Sequence, residues 1–266
     1  MSRVALKLGG SILEDAPTMG RIVEQVAAVV ARGTEVVIVH GGGKRLNRRL
    51  EDLGIESRFV EGLRVTDEAT LSVALMVLAG EVNKNLVVAL GGMKVRAIGI
   101  CGADVSCVRC ERLEVPAGRG EELGFVGQPT KVDRRFFEQM FEIGLTPVVA
   151  SVALGTDRHL YNVNADQMAS VCASGTGCEA LIYLTDVAGV MDARGRVISS
   201  LDAKSIEKLR LEGVLTGGML PKTASCLEAL LNGVNSVYIL PGKSPGALSK
   251  ALEGGETEGT CIHGND

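Results

Sequence analysis

The sequence predicts an α/β fold, a mostly parallel sheet with helices on both of its faces. Three observations carry that expectation. Short runs rich in Val, Ile and Leu alternate with longer stretches of helical periodicity, which is the pattern of repeated β-α-β units. Glycines cluster rather than repeat, at Gly9-Gly10, Gly41-Gly42-Gly43, Gly91-Gly92 and Gly217-Gly218, and most of these clusters follow a predicted strand or open a predicted helix. The chain is also long, 266 residues with 46% hydrophobic and 23% charged. That is enough to bury roughly three quarters of its unfolded surface without disulfide staples, as one large domain or two fused lobes.

The elements follow in order. Residues 4–8 read as a buried strand ending in Gly9-Gly10. Residues 17–32 have helical periodicity, with Gly33 as the stop signal. Residues 35–40 form a second buried strand that empties into Gly41-Gly42-Gly43-Lys44, followed by helix to Leu53. Thr66 is read as the N-cap of a long helix, 69–90, apolar on more than one face through Leu71, Val73, Leu75, Val77 and Leu78. Such a helix is either central or part of a subunit interface, and interface is the preferred reading. Residues 95–101 are a strand, 102–130 a turn-rich region of hairpins over a cleft, 132–143 a helix and 146–150 a strand. Then come helix 165–174, strand 180–184, helix 218–232, strand 236–240 closing the sheet, and helix 245–252. The tail 253–266 reads as polar and partly mobile, with Gly259-Thr260 ending a strand.

Composition excludes several classes. A net charge of −4 argues against a chain built to coat nucleic acid or anionic lipid. With no Trp, three Tyr and five Phe, stacking on bases is a poor hypothesis. Uninterrupted apolar stretches fall far short of the roughly 20 residues that span a bilayer, and the N-terminus lacks signal-peptide anatomy. Seven cysteines, an odd count, suit a reducing compartment. The expectation is a soluble cytoplasmic protein without nucleic-acid or membrane partners. Cys107 and Cys110 form a CxxC with only Cys101 near as a third ligand, so reduced thiols are favoured over zinc or redox chemistry. His40 and His159 stand alone and read as structural.

The chemistry-bearing residues lie at the glycine turns. No segment fits GxxxxGKS, GxxxxGKT or GxGxxG, and the HRD and DFG signatures are absent. Lys7 precedes Gly9-Gly10, and Lys222 follows Gly217-Gly218-Met219-Leu220-Pro221. A lysine in a strand that ends in a glycine turn can hold its ammonium over a phosphate cradled by the backbone, although either lysine could be merely solvated. Asn162-Val163-Asn164-Ala165-Asp166 places two amides and a carboxylate at a strand-to-helix junction, where Asn164 could simply cap the helix. Arg64, in Gly62-Leu63-Arg64-Val65-Thr66-Asp67, could clamp a carboxylate or form a rim salt bridge.

In one order, Lys7-Leu8-Gly9-Gly10, His40-Gly41-Gly42-Gly43, the 62–67 segment, the 162–166 segment, Leu184-Thr185-Asp186-Val187-Ala188-Gly189-Val190 and 217–222 closely resemble the acetylglutamate kinases of the amino acid kinase superfamily. The resemblance runs from Val4 to about Leu252. The first lysine, the glycine turns and the 184–190 segment are shared across the superfamily, so the 62–67 and 162–166 segments are the more specific pair. The resemblance implies an open three-layer αβα sandwich with an amino-acid lobe, 1–165, and a nucleotide lobe, 166–266. It implies phosphorylation of the side-chain carboxylate of N-acetyl-L-glutamate by ATP with Mg²⁺, in arginine biosynthesis.

By the same resemblance, Arg64 and Asn162 hold the substrate's α-carboxylate and neighbouring backbone, and Gly41 and Gly42 offer it N–H groups. Lys7 and Lys222 neutralise the transferring phosphoryl group, Gly9 and Gly10 donate backbone hydrogen bonds to it, and Asp166 positions the two lysines. Ser11, Thr185, Asp186, Val187, Gly189, Val190, Gly217, Gly218 and Met219 line the nucleotide site. The acceptor carboxylate is already ionised at neutral pH, so no catalytic base is required and His40 has no compulsory role. Arginine-inhibited members carry an extra N-terminal helix for which this chain has no room, which leads to the expectation of an arginine-insensitive homodimer. The rival readings are a kinase for acetylaminoadipate or a related acyl substrate, one methylene away, and a nucleotide-binding amino-acid sensor without turnover.

Overall fold

The structure is a computed structural model that describes residues 2–114, 122–255 and 258–264. Parts of two sequence expectations therefore lie outside the described residues: 115–121 within the turn-rich region, and 256–257 and 265–266 within the tail.

β1 (Arg3–Leu8) leads through Gly9 into α1 (Gly10–Leu13), a single turn. α2 (Ala16–Ala31) starts at Asp15, whose carboxylate accepts the Thr18 N–H while Pro17 occupies the first turn. Gly33, at φ +87°, then ends that segment in the left-handed region. β2 (Glu35–His40) is followed by α3 (Gly43–Asp52), and β3 (Phe59–Val60) pairs antiparallel with β4 (Leu63–Arg64).

Thr66 does not cap the next helix. Asp67 does, accepting the Thr70 N–H at 2.8 Å, because Thr66 is drawn inside to bridge Gly124. α4 (Glu68–Ala74), a π-helical stretch (Leu75–Val82) and α5 (Asn83–Gly92) form one continuous 25-residue helix. An 18-residue window within it reaches a mean hydropathy of 1.6, which with its length is sufficient to cross a membrane. That exceeds what the uninterrupted apolar runs suggested, since Glu81, Asn83 and Lys84 break the run in sequence but not the helix. Here one face of it is used by the core, where Val73, Ala74, Val77, Leu78, Leu86 and Leu90 are all buried, whereas Met76 and Val88 are exposed.

β5 (Ala97–Cys101) is followed by β6 (Val108–Arg112) and β7 (Val126–Val132). α6 (Arg134–Glu142), capped by Asp133, leads to β8 (Thr146–Ala150), β9 (Val152–Gly155) and β10 (Leu160–Val163). Within the region expected to hold hairpins, β6 and β7 pair antiparallel, and together with β9 and β10 they close into a small barrel. α7 (Ala165–Gly175), β11 (Ala180–Thr185), β12 (Ser200–Leu201), α8 (Ala203–Leu211) and α9 (Met219–Leu231) follow. β13 (Ser236–Pro241), α10 (Ala247–Leu252) and β14 (Thr260–His263) complete the fold.

The main sheet has eight strands in the order β12-β14-β13-β11-β1-β2-β8-β5. Six neighbouring strands, β13 through β5, are parallel. The sheet does not close at β13 as expected, because β14 adds antiparallel to it and β12 lies beyond. Strand alternation sorts the core into two layers. Ala5, Val37, Val39, Val149, Leu181 and Tyr183 face α6, α7 and α9, whereas Val4, Leu6, Leu8, Val36, Ile38 and Ile182 face α2, α5 and α10. The result is an α/β sandwich of three layers. On β1, Lys7 shares the face of Ala5 and so points toward α7 and α9.

Candidate active site

The six parallel strands run the same way, so their carboxyl ends line one edge of the sheet. β1 is the switch point: the next strand in sequence pairs on one side of it and β11 on the other, and a crevice opens where connections diverge. At that edge the chain places Gly9-Gly10 after β1, Gly41-Gly42-Gly43 after β2 and Thr185-Asp186 at the end of β11.

Asp166 stands at the centre. Asn164 caps α7, its side-chain oxygen accepting the Asp166 and Gln167 N–H groups at 2.8 and 3.4 Å. This holds Asp166 in the first turn, where the helix dipole favours a carboxylate. Its Oδ1 lies 2.7 Å from Lys7 Nζ and its Oδ2 3.0 Å from Lys222 Nζ, with all three side chains only 12% exposed. Lys222 Nζ also sits 5.0 Å from the centre of the Tyr183 ring, and the Tyr183 hydroxyl donates to the Asp166 backbone carbonyl at 3.3 Å. Burial alone would raise the Asp166 pKa, but the two ammonium groups outweigh it and hold the carboxyl below the ordinary range. Burial lowers the Lys7 pKa, and Asp166 only partly restores it. Lys7, Asp166 and Lys222 come from three distant segments, and the fold brings them into one buried cluster.

The first glycine turn differs from expectation in one detail. The Gly9 N–H donates to the Leu184 carbonyl at 3.1 Å, which ties β1 to β11 and leaves that N–H unavailable to a ligand. Gly10 and Ser11 open α1 instead, where first-turn N–H groups lack intrahelical acceptors. A Cβ on Gly10 would lie 3.5 Å from the Gly43 nitrogen, so the first two glycine turns face each other at van der Waals distance. Thr185 Oγ1 donates to the Asp186 carboxylate at 3.2 Å, and the neighbouring Ser11 hydroxyl is the main cause of its lowered pKa. Sequence spacing held no signal for the proximity of Ser11 to Asp186.

Along the 185–190 segment, Thr185, Asp186 and Val187 remain at this edge, but Val190 is fully buried and its N–H donates to Thr260 Oγ1 at 2.8 Å. A Cβ on Gly189 would come within 2.8 Å of the same oxygen. These two residues dock the segment on β14. Gly217, at φ +52°, and Gly218 lead into α9, where Met219 is followed one turn later by Lys222.

Beside the triad lies a cleft of about 170 Å³ lined by Gly41, Gly42, Gly43, Arg64, Asn162 and Ala165 among others. Among the described residues Arg64 forms no rim salt bridge. It is 8% exposed, its guanidinium lies 4.6 Å from the centre of the Phe59 ring, and it donates to Ser57 Oγ at 2.9 Å and to Asn47 Oδ1. These partners are neutral, and burial lowers its pKa. A buried cation held by neutral partners in a cleft wall is a site for an anion. Thr66, read as a helix cap, is the hub of this wall. Its hydroxyl donates to the Arg64 carbonyl and accepts from Asn162 Nδ2 at 3.2 Å, while its backbone pairs with Leu123 and Phe125.

Cys107 and Cys110 take no part in the Lys7–Asp166–Lys222 cluster. All seven are free, six are buried, and burial pushes Cys107 and Cys110 up to about 12. Among the described residues no three His, Cys, Asp or Glu side chains are grouped to hold a metal. His159 is exposed beside Asp157, and His40 is buried under the second glycine turn.

Comparison with known proteins agrees with this geometry. The model of the amino acid kinase family matches residues 2–241. An acetylglutamate kinase of Koribacter versatilis is 44% identical over 251 residues, 94% of this chain and 95% of that one. One from Solibacter usitatus is 45% identical over 254 residues, covering 96% of each. Among solved structures, N-acetylglutamate synthase from Neisseria gonorrhoeae superposes with a TM-score of 0.88 at 24% identity. That alignment covers all of this chain and 60% of the synthase chain, and it speaks for the fold alone. The chain belongs to the amino acid kinase family, and within it to the acetylglutamate kinases.

Proposed function

We propose that this chain transfers the γ-phosphoryl group of ATP to the side-chain carboxylate of N-acetyl-L-glutamate, yielding N-acetyl-L-glutamyl 5-phosphate and ADP in arginine biosynthesis. The observation that carries the reading is the Lys7–Asp166–Lys222 cluster set beside a cleft whose wall holds a buried arginine with no carboxylate partner among the described residues. Two anions must meet in line, so the site needs positive charge and oriented N–H donors more than an acid or base. A carboxylate oxygen attacks the γ-phosphorus, the bond to the β–γ bridging oxygen breaks, and ADP takes the electron pair. No proton has to move.

In this reading Lys7 and Lys222 meet the charge that builds on the equatorial and bridging oxygens. Asp166 offsets the repulsion between the two ammoniums until the substrates arrive. The Gly10 N–H points to the phosphoryl group, Gly41 and Gly42 to the acceptor carboxylate, and Arg64 and Asn162 hold the α-carboxylate and the neighbouring backbone of the substrate. Ser11, Thr185, Asp186, Val187, Gly217, Gly218 and Met219 form the nucleotide edge. ATP arrives as its magnesium complex, with Mg²⁺ carried mainly on phosphate oxygens. The lobes divide near residue 165, amino acid on one side and nucleotide on the other. The exposed Met76 and Val88 on the long helix, 58% and 74% accessible, support a homodimer built on that surface. Seven unpaired thiols support a cytoplasmic setting.

Trapping the acyl phosphate with hydroxylamine tests the reaction directly. With ATP present, N-acetylglutamate should give far more hydroxamate than glutamate or N-acetylaminoadipate. Preference for the longer acid would reassign the substrate, and ATP binding without product from any acid would indicate a sensor.

Arg64→Ala should raise KM for N-acetylglutamate by about 10- to 100-fold, the scale of a charge-assisted carboxylate contact, while KM for ATP stays near wild type. An unchanged amino-acid KM would remove Arg64 from the cleft's recognition machinery.

A further inference from the structure

His40 has no part in the chemistry above, yet it is fully buried directly beneath the second glycine turn. Its Nδ1 lies 2.8 Å from the Gly41 carbonyl oxygen, and its Nε2 3.0 Å from Asn83 Nδ2. A carbonyl only accepts, so Nδ1 carries the proton. The far end of the chain of hydrogen bonds requires the same assignment. Lys84 Nζ donates to Asn83 Oδ1 at 3.1 Å and to the Gly99 carbonyl at 2.8 Å, which orients the amide. Asn83 Nδ2 then spends one hydrogen on the Val148 carbonyl at 2.9 Å and the other on His40 Nε2. Every polar atom from Gly99 to Gly41 has one consistent role, and burial keeps the ring neutral by pushing its pKa down to about 4.

The peptide that receives this bond matters. No cis peptide occurs among the described residues, so the Gly41 carbonyl and the Gly42 N–H point in opposite directions from one plane. With the carbonyl tied inward to His40, the Gly42 N–H is turned outward, toward the cleft that Gly41 and Gly42 line. The same helix that supplies Asn83 also wedges the turn. A Cβ on Gly42 would meet Leu78 Cδ2 at 2.8 Å and Val82 Cγ2 at 3.2 Å, and both residues belong to the π-helical stretch that ends just before Asn83. The wider turn of a π-helix shifts the register of the helix beyond it, a device found often at functional sites.

We infer that His40, keyed by Asn83 at the end of the π-helical stretch, is a positioning residue that locks the Gly41–Gly42 peptide with its N–H aimed at the substrate's reacting carboxylate. The inference rests on the proposed reaction for its kinetic consequence but not for its structural one. His40→Leu keeps the bulk and removes both nitrogens, so kcat/KM for N-acetylglutamate should fall about 10- to 100-fold while KM for ATP stays within about twofold. His40→Asn restores an amide N–H at the Nδ1 position and should recover most of that loss. Gly99→Ala acts from a distance: its Cβ would overlap Asn83 Oδ1, 1.9 Å away, and strike Lys84 Nζ. It should reproduce the His40→Leu pattern although Gly99 lies outside the cleft.

A long-range ¹⁵N–¹H spectrum of the histidine-labelled wild-type protein supplies a readout independent of turnover. It should show His40 neutral, protonated on Nδ1 and unprotonated on Nε2. An Nε2–H tautomer or an imidazolium at neutral pH would overturn the inference. So would His40→Leu with wild-type kinetics, or His40→Asn as impaired as His40→Leu. If the wild-type protein fails to phosphorylate N-acetylglutamate while the tautomer is as stated, the functional reading fails and the relay stands.

Discussion

Lys7→Ala and Lys222→Ala are each expected to lower kcat by about 10²–10³-fold, the effect of removing one preorganised charge from a site where negative charge moves in the transition state. KM for either substrate should change much less, because the ammoniums meet the phosphoryl oxygens most strongly when the transferring group is between donor and acceptor. Steady-state assays varying each substrate in turn separate the two parameters. A mutant that keeps kcat within a few-fold of wild type would remove that lysine from the reaction. The two substitutions should also differ in pH dependence. Burial already lowers the Lys7 pKa, so wild-type activity should decline on the alkaline side before an ordinary lysine would titrate. Lys7→Ala should lack that limb.

Asp166→Asn should be the most damaging single change for the fold and the reaction together. The amide is isosteric but neutral, leaving two ammonium groups that approached one carboxylate at 2.7 and 3.0 Å with no anion between them. Removing one partner of a buried pair costs about 3–5 kcal/mol, which for a chain of this size corresponds to a fall in Tm of roughly 6–20 °C. kcat should drop with it, because Lys7 would shed its proton to escape the repulsion. The sign with pH is fixed by the lowered carboxyl pKa. Its contribution is complete above the unfolded value of about 3.9 and is lost as pH falls through the lower folded value. Wild type should therefore lose stability steeply in that acid range, and Asp166→Asn should show a shallower loss there. Equal melting temperatures at neutral pH would refute the structural half of this expectation.

Much of the architecture is local and was therefore legible. Buried β runs such as 35–40, helical periodicity over 17–32 and the cap at Asn164 depend on neighbours within a few residues, and the structure keeps all three. The errors share a cause. Thr66 looks like a cap because Thr caps helices, but pairing with Leu123, Gly124 and Phe125 pulled it inward and passed the cap to Asp67. At Gly9 and Val190, which the family resemblance assigns to the nucleotide site, the structure adds contacts that spacing does not show. Their backbone N–H groups are engaged by β11 and β14, far away in the chain. The bilayer-length helix was hidden by polar residues that break a run of letters but not a run of backbone hydrogen bonds.

By itself the sequence determined the alternation of elements, the places where backbone must approach a ligand, and the residue types needed to bring two anions together without a base. The family resemblance implied that Asp166 positions Lys7 and Lys222, but not how deeply the three are buried or how closely they approach, nor that Arg64 sits among neutral partners, nor that His40 is wired through Asn83 to the glycine turn. Those facts are distances between segments that lie far apart in the chain. A parallel sheet sets them by bringing the ends of non-adjacent strands to one edge, and burial then turns ordinary charges and amides into a preorganised site.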